Sequence, residues 1–313
     1  MLKSFEELVQ AVTAEPARRV AVAAANDATV IAALKRASDE NVATPVFVGD
    51  RKSITSLASE LGWSLPDDQV VDAGDDLAAA AEAVRFVREG RCDVLMKGHI
   101  HTDDFLRALL DKEAGLRSGA AMSHVFILEL IDQKRLLFVT DAAMNIAPDM
   151  VRKAEIILNA VYLANTFGYD SPIVAAVGAV ELVNPAMPAT LDAAALAKMS
   201  DRGQFPNCTV DGPFGFDNAV NIAAAEHKKI FSPAAGKADI VLMPDIEAGN
   251  MVVKCFSHLS GGRTAGVLVG ASAPVVLTSR ADTAESKFLS VAAAVLMSNM
   301  TRGGRLKIGK ARY

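Results

Sequence analysis

The stretch Pro274–Val295, PVVLTSRADTAESKFLSVAAAV, decides how the rest of the chain is read. Its opening, Val275-Val276-Leu277-Thr278, has the character of a buried parallel strand. Ser279-Arg280 falls where that strand ends, and Asp282-Thr283-Ala284-Glu285 has the spacing of a capping box that opens a helix. The helix continues with Phe288, Leu289, Val291 and Ala292 at helical spacing. A strand end, an arginine and a helix N-terminus together favour an anion, because free backbone N–H groups and the helix dipole are positive there. Open α/β sheets bind ligands outside the carboxyl ends of their strands. The expected ligand therefore carries phosphate.

Upstream, strands and helices alternate. Arg18–Ala25 reads as a strand, with Asp27 capping a helix to about Ser38. Pro45–Gly49, Gln69–Asp72 and Cys92–Gly98 read as strands, separated by helices near Ile54–Leu61 and from Asp75 to Arg91. Thr102 is placed as the cap of a helix over Asp103–Lys112. Strands alternating with helices of this length imply a parallel sheet. The pattern changes at Gly115–Met122: His124–Ile131 and Arg135–Thr140 form a predicted hairpin around Asp132-Gln133-Lys134. A helix over Val151–Phe167, a strand over Ile173–Val177 and a helix over Asp192–Lys198 follow. Beyond a Gly/Pro/Asn-rich stretch, Asp201–Phe216, come a helix near Asn218–Glu226 and a strand over Asp239–Pro244.

Composition narrows the function classes. The 313 residues suffice for two domains, and with 51% hydrophobic but only 5% aromatic residues, Ala and Val fill the layers. A net charge of −5 gives no electrostatic case for nucleic acid. Cys92, Cys208 and Cys255 lie far apart without a CxxC pair, which suits reduced thiols in a cytoplasmic protein. Residues 1–15 read as an amphipathic helix rather than a signal peptide, and no apolar run is long enough to span a bilayer.

Three constellations carry chemistry. Lys97-Gly98-His99-Ile100-His101-Thr102 puts a lysine and two histidines between a strand end and a helix start. It suits a phosphate or oxyanion; its plainer reading is a solvated loop with Thr102 as a cap. A metal would need a third ligand that the neighbouring sequence lacks. Arg107, on the helix that follows, either points back to this ligand or is an exposed helix residue. Pro244–Asn250, leading to Lys254, again follows a strand: Gly249 permits close backbone approach and Asn250 offers a donor and an acceptor, although an ordinary turn explains it equally. Arg280 is the third, since its planar fork matches phosphate oxygens. Asp282 and Glu285 are candidate bases, but capping alone explains at least one of them. P-loop, dinucleotide and nucleophile-elbow patterns are all missing.

The same segments resemble the phosphate acetyltransferase and butyryltransferase family. The likeness lies in MKGHIHTDDFLRALL (Met96–Leu110), TDAAMNIAPD (Thr140–Asp149), VELVNPAMPAT (Val180–Thr190) and DGPFGFDNAV (Asp211–Val220). It continues in HKKIFSPAAGKADIVLMPDIEAGNMVVK (His227–Lys254) and PVVLTSRADTAESK (Pro274–Lys287). The resemblance implies the reaction acyl-CoA + phosphate ⇌ acyl phosphate + CoA, by direct attack of the CoA thiolate in a ternary complex. Coenzyme A and phosphate are then substrates, and no metal or redox cofactor takes part. It also implies two α/β domains with mainly parallel sheets flanking a cleft, similar to isocitrate/isopropylmalate dehydrogenase, in a homodimer. The expected division is 1–118 plus 285–313 for the first domain and 119–284 for the second.

A serine–arginine pair of the family matches Ser279-Arg280, and a second arginine matches Arg107 if one residue of gap is allowed. The acetyltransferase pattern has a carboxylate seven residues after the serine, where this chain has Ser286. That departure leaves the base open between Asp282, Glu285 and electrostatic assistance alone, and it favours the butyryltransferase branch. Two alternatives stand beside this reading. One is an NAD(P)-dependent decarboxylating dehydrogenase of the same fold; the other is a non-catalytic acyl-CoA-binding regulatory domain.

Overall fold

The computed structural model describes residues 1–302 and 308–312. The chain divides into two compact units, each an α/β arrangement of mostly parallel strands. The first unit holds residues 5–120 and takes the chain back from Ala265; the second holds residues 1–4, 121–264 and 308–312.

In chain order the first unit opens with α1 (Phe5–Thr13), β1 (Arg18–Ala23), α2 (Ala28–Asp39), β2 (Ala43–Gly49) and α3 (Arg51–Glu60). It goes on through β3 (Val70–Asp72), α4 (Asp76–Arg88), β4 (Val94–Lys97) and α5 (Thr102–Leu109). Strand β1 is central, parallel to β2 on one side and to β4 on the other, with β3 beyond β2. All four residues of β4 are buried, as a sheet covered on both faces requires. Asp27, Asp50 and Asp75 each cap a helix, accepting from the backbone N–H of Val30, Lys52 and Ala78.

The second unit comprises β5 (Ser123–Leu130), β6 (Arg135–Thr140), α6 (Met150–Thr166), β7 (Ile173–Val177) and α7 (Pro188–Asp201). It is completed by β8 (Thr209–Phe214), α8 (Phe216–Val220), α9 (Ile222–His227), β9 (Ile240–Leu242) and α10 (Ile246–Lys254). Its strand order is β5-β6-β9-β7-β8, and only the β5–β6 hairpin is antiparallel. The hairpin closes with Lys134 in the left-handed region, at φ 50. Val139, Ala175, Val241 and Phe214 meet in its core.

The chain then returns through β10 (Thr264–Val269), β11 (Val275–Val276) and α11 (Ala284–Arg302). Strand β11 lies parallel to β4, pairing Val275 with Leu95 and Val276 with Met96. That pairing moves the return to Ala265, ahead of the expected residue 285, and carries Ser279-Arg280 into the first unit. The tail also departs from the expected division. Arg312 N donates to Gln204 O at 3.1 Å, so residues 308–312 belong to the second unit. Residues 303–307 and 313 of that expected segment lie outside the described residues.

Four local expectations change. The Gly/Pro/Asn-rich stretch contains strand β8, paired with β7 from Ile173↔Thr209. Helix α7 starts at Pro188 rather than Asp192 because proline suits the first helical turn. The predicted helix 218–226 is two helices, interrupted at Asn221, whose side chain caps the second. Strand β10 was hidden in an apolar run, TAGVLV, whose lack of alternation gives no period to read.

Candidate active site

The carboxyl ends of β1, β4 and β11 lie side by side in the first unit. After β1 the backbone turns through Ala24, at φ 53, to Asp27. After β4, Gly98 N donates to Ala23 O at 2.8 Å and His99 N to Ala24 O at 2.7 Å. These bonds press Gly98 so close to β1 that a Cβ there would lie 2.3 Å from Ala24 O. Only glycine fits, and the close approach fixes where Lys97 and His99 project.

Lys97 is 2% exposed and donates to Gly98 O at 3.3 Å. Burial, then the positive charges of Arg280 and Lys287, bring its ammonium down to about 8. Lys287, on the first turn of α11, is equally buried; its ammonium is lowered by burial, against the opposing pull of Asp27 and Asp282. Across from it, the Asp27 carboxylate accepts from Thr29 Oγ1 at 2.6 Å and Val30 N at 2.9 Å, and meets His99 Nδ1 at 3.4 Å. Burial would raise the Asp27 carboxyl, but these hydrogen bonds and Lys287 outweigh it and hold it below its usual value.

The turn after β11 is closed from several directions. Ser279 N donates to the Asp282 carboxylate at 2.7 Å, and Asp282 N to Ser279 O at 3.2 Å. The Ser279 hydroxyl accepts from Ala281 N at 3.3 Å. Just before the turn, the Thr278 hydroxyl is buried without a partner among the described residues. Arg280 is exposed and, among the described residues, makes no hydrogen bond or ion pair, yet its charge reaches Lys97. Three cations thus face two carboxylates and the positive end of α11. The excess positive charge is a setting for a multiply charged anion.

The helix cap sits one residue later than its spacing suggested. Thr283 Oγ1 accepts from Ser286 N at 3.1 Å, so Thr283 caps α11 with Ser286 three residues on. Asp282 instead closes the turn, and Glu285 is exposed in the first turn of the helix. The opposite shift occurs at α5: His101 is the N-cap residue, without a side-chain bond, and Thr102 is the first helical residue. His101 and Thr102 are both exposed. Arg107 is 72% exposed and pairs with Asp104 on its own helix at 2.9 Å. Its guanidinium is engaged at the surface rather than with the Lys97 cluster.

Asn250 and Lys254 lie on α10 of the second unit. Asn250 Nδ2 donates to Ala142 O at 3.1 Å, and Lys254 is exposed in the last turn. Gly249 packs so closely that a Cβ would lie 2.6 Å from Asp141 O. Asp141, 3% exposed, gathers that loop by accepting from His124 N, Ala143 N, Met144 N and the Asn145 side chain.

Lys287 and the wider role of Asp27 escaped sequence reasoning. One signal for Lys287 was available: it is a charged residue leading into the buried run Phe288-Leu289. Among the described residues, no group of three or more His, Cys, Asp or Glu could hold a metal ion, and no helix is long and apolar enough to cross a membrane.

Strand ends and one helix N-terminus carrying this excess of positive charge define the class, an α/β protein suited to a phosphate-bearing ligand. Comparison with known proteins gives the family. Residues 76–295 match the phosphate acetyl/butaryl transferase family, and the chain belongs to it. It is 47% identical over 298 residues to a phosphate butyryltransferase of Clostridium beijerinckii, covering 95% of this chain and 99% of that one. It is 46% identical over 275 residues to a phosphate acetyltransferase of Thermotoga maritima, covering 88% and 93%. Among solved structures, a branched-chain phosphotransacylase from Enterococcus faecalis V583 superposes with TM-score 0.78 at 31% identity, over 90% of this chain and 99% of that one.

Proposed function

We infer that the chain transfers a short acyl group between coenzyme A and inorganic phosphate, acyl-CoA + phosphate ⇌ acyl phosphate + CoA. The observation that carries this reading is the uncommitted guanidinium of Arg280, whose charge reaches buried Lys97, in a member of this family. In the phosphorolysis direction, Arg280 holds a phosphate oxygen and offsets charge as phosphate attacks the thioester carbonyl. In reverse, the CoA thiolate attacks the acyl phosphate and phosphate leaves to the same arginine. Ser279 Oγ is an exposed hydroxyl at the same turn and serves the thiol or the developing oxyanion. Lys97, His99, His101, Thr102, Asn250 and Lys254 are assigned to binding phosphate or CoA.

Asp282 and Glu285 are both kept as carboxylates that assist ionisation of the thiol, and Asp282 also accepts from Ser279 N. A thiol of pKa near 8.5 needs only modest help at neutral pH. The chemistry uses no metal or redox cofactor. We assign the protein to the cytoplasm as a homodimer, in the two-domain organisation similar to isocitrate/isopropylmalate dehydrogenase; Arg107 is kept as a second phosphate ligand that exchanges its weak, exposed pair with Asp104 for the substrate. The dehydrogenase reading is not favoured.

Relatives named for butyryl and acetyl transfer are almost equally identical, so acyl preference rests on direct assay. Each methylene buried changes binding by about 0.8 kcal/mol, roughly fourfold. Acetyl-, propionyl-, butyryl- and isobutyryl-CoA, each given phosphate without nucleotide, should release free thiol only when phosphate is present. Phosphate-independent release, or a requirement for a nicotinamide nucleotide, would overturn the assignment.

A further inference from the structure

The turn that carries Arg280 is anchored by a residue to which nothing so far assigns a role. The Lys287 ammonium reaches back from the first turn of α11 to two carbonyl oxygens, Ser279 O at 3.3 Å and Asp282 O at 2.5 Å. Those carbonyls bracket Arg280 and Ala281. The Asp282 carboxylate ties the same turn to Ser279 N at 2.7 Å. The backbone around Arg280 is therefore held at both ends while its guanidinium stays uncommitted.

Holding a lysine there is unfavourable in itself, since the side chain is 2% exposed and a buried charge is costly unless paired. Its compensation comes from Asp27, across on the cap of α2, and from Asp282. A methionine would fill the same space without that cost, but it would leave the Asp282 carbonyl without this donor. The buried charge would also be lost from the ground beneath the anion site.

We propose that Lys287 is a positioning residue, which fixes the Ser279–Asp282 turn so that Arg280 presents its guanidinium to the phosphate or acyl phosphate. The proposal rests on the reading of Arg280 as the anion ligand, and its test separates the two. Lys287→Met, Lys287→Gln, Lys287→Arg and Arg280→Ala are purified, and thiol release from acyl-CoA is followed against phosphate concentration and, separately, against acyl-CoA concentration.

Lys287→Met should raise the KM for phosphate about tenfold, the size of one charged hydrogen bond, with the KM for acyl-CoA unchanged. Lys287→Arg, which keeps the charge and donors, should recover most of the loss. Should the methionine variant not fold, Lys287→Gln gives the same reading, since its neutral amide is one bond too short to replace the ammonium at both carbonyls. A phosphate KM within twofold of wild type in a folded, uncharged variant overturns the proposal. So does an equal rise in both KM values, which would mark general loosening of the fold. If Arg280→Ala itself keeps wild-type phosphate dependence, the underlying site reading fails, whatever Lys287 does.

Discussion

Replacing Lys97 by methionine should make the folded protein more stable at neutral pH while weakening its handling of phosphate. The ammonium of Lys97 titrates at about 8, against the usual 10.5. Each tenfold change in a proton equilibrium is about 1.4 kcal/mol, so the charged form costs the fold up to roughly 3 kcal/mol. Methionine has similar length and no charge, so that cost disappears. Losing the 3.3 Å bond to Gly98 O returns about 1 kcal/mol, leaving a net gain of about 2 kcal/mol. The pH dependence follows from proton linkage. Between about 8 and 10.5 the unfolded chain holds a proton that folded Lys97 has already released, so wild-type stability rises with pH across that window. The variant lacks this rise. Urea denaturation of both proteins at pH 7 and pH 10 is the assay, and the gap between them is the quantity read, since other titrating groups are common to both. The gap should favour the variant at pH 7, shrink toward pH 10, and narrow when saturating phosphate stabilises the charged lysine. A variant less stable than wild type at pH 7, or a gap independent of pH, would refute the reasoning.

Three further outcomes follow from the same geometry. Gly98→Ala should lose about 3 kcal/mol of stability in urea denaturation and most phosphate-dependent activity, because its methyl would collide with Ala24 O; a wild-type denaturation midpoint would show that β4 is free to shift. Asp282→Asn should alter the KM for phosphate and move the pH profile less than Glu285→Gln does, because its carboxylate also serves Ser279 N. Glu285→Gln should shift the acidic limb of the pH–rate profile and spare the phosphate KM; if the roles are exchanged, the main base is Asp282.

Much of the fold was legible because its signals are local. Asp27 and Asp75 announce their helices through short polar side chains that satisfy the first free N–H groups, and each does so. The strand over Ile173–Val177 has a β-branched start and clear flanks, and its bounds match β7. Where signals are non-local, reading faltered. Strand β8 sits in a sequence rich in Gly, Pro and Asn and exists because β7 offers an edge to pair with. The return of the chain was placed twenty residues late because the register of β11 on β4 is a tertiary fact, invisible in the spacing of Val275 and Val276. The site divides in the same way. Ser279-Arg280 and Lys97 were legible as charged or polar residues at strand ends. The capping pair was misread by one residue because Asp282 and Thr283 are both good caps, and only the turn geometry chooses between them. Lys287 was invisible as an anchor because its partners are backbone carbonyls, which no side-chain pattern reports.

The central claim is that Arg280 receives the phosphate, and its most direct test is the phosphate saturation curve of Arg280→Ala beside wild type, measured as CoA thiol released from butyryl-CoA. Loss of one charged contact of about 3 kcal/mol predicts a fall of about a hundredfold in kcat/KM for phosphate, with the folded state intact by urea denaturation. A curve within threefold of wild type would contradict the account.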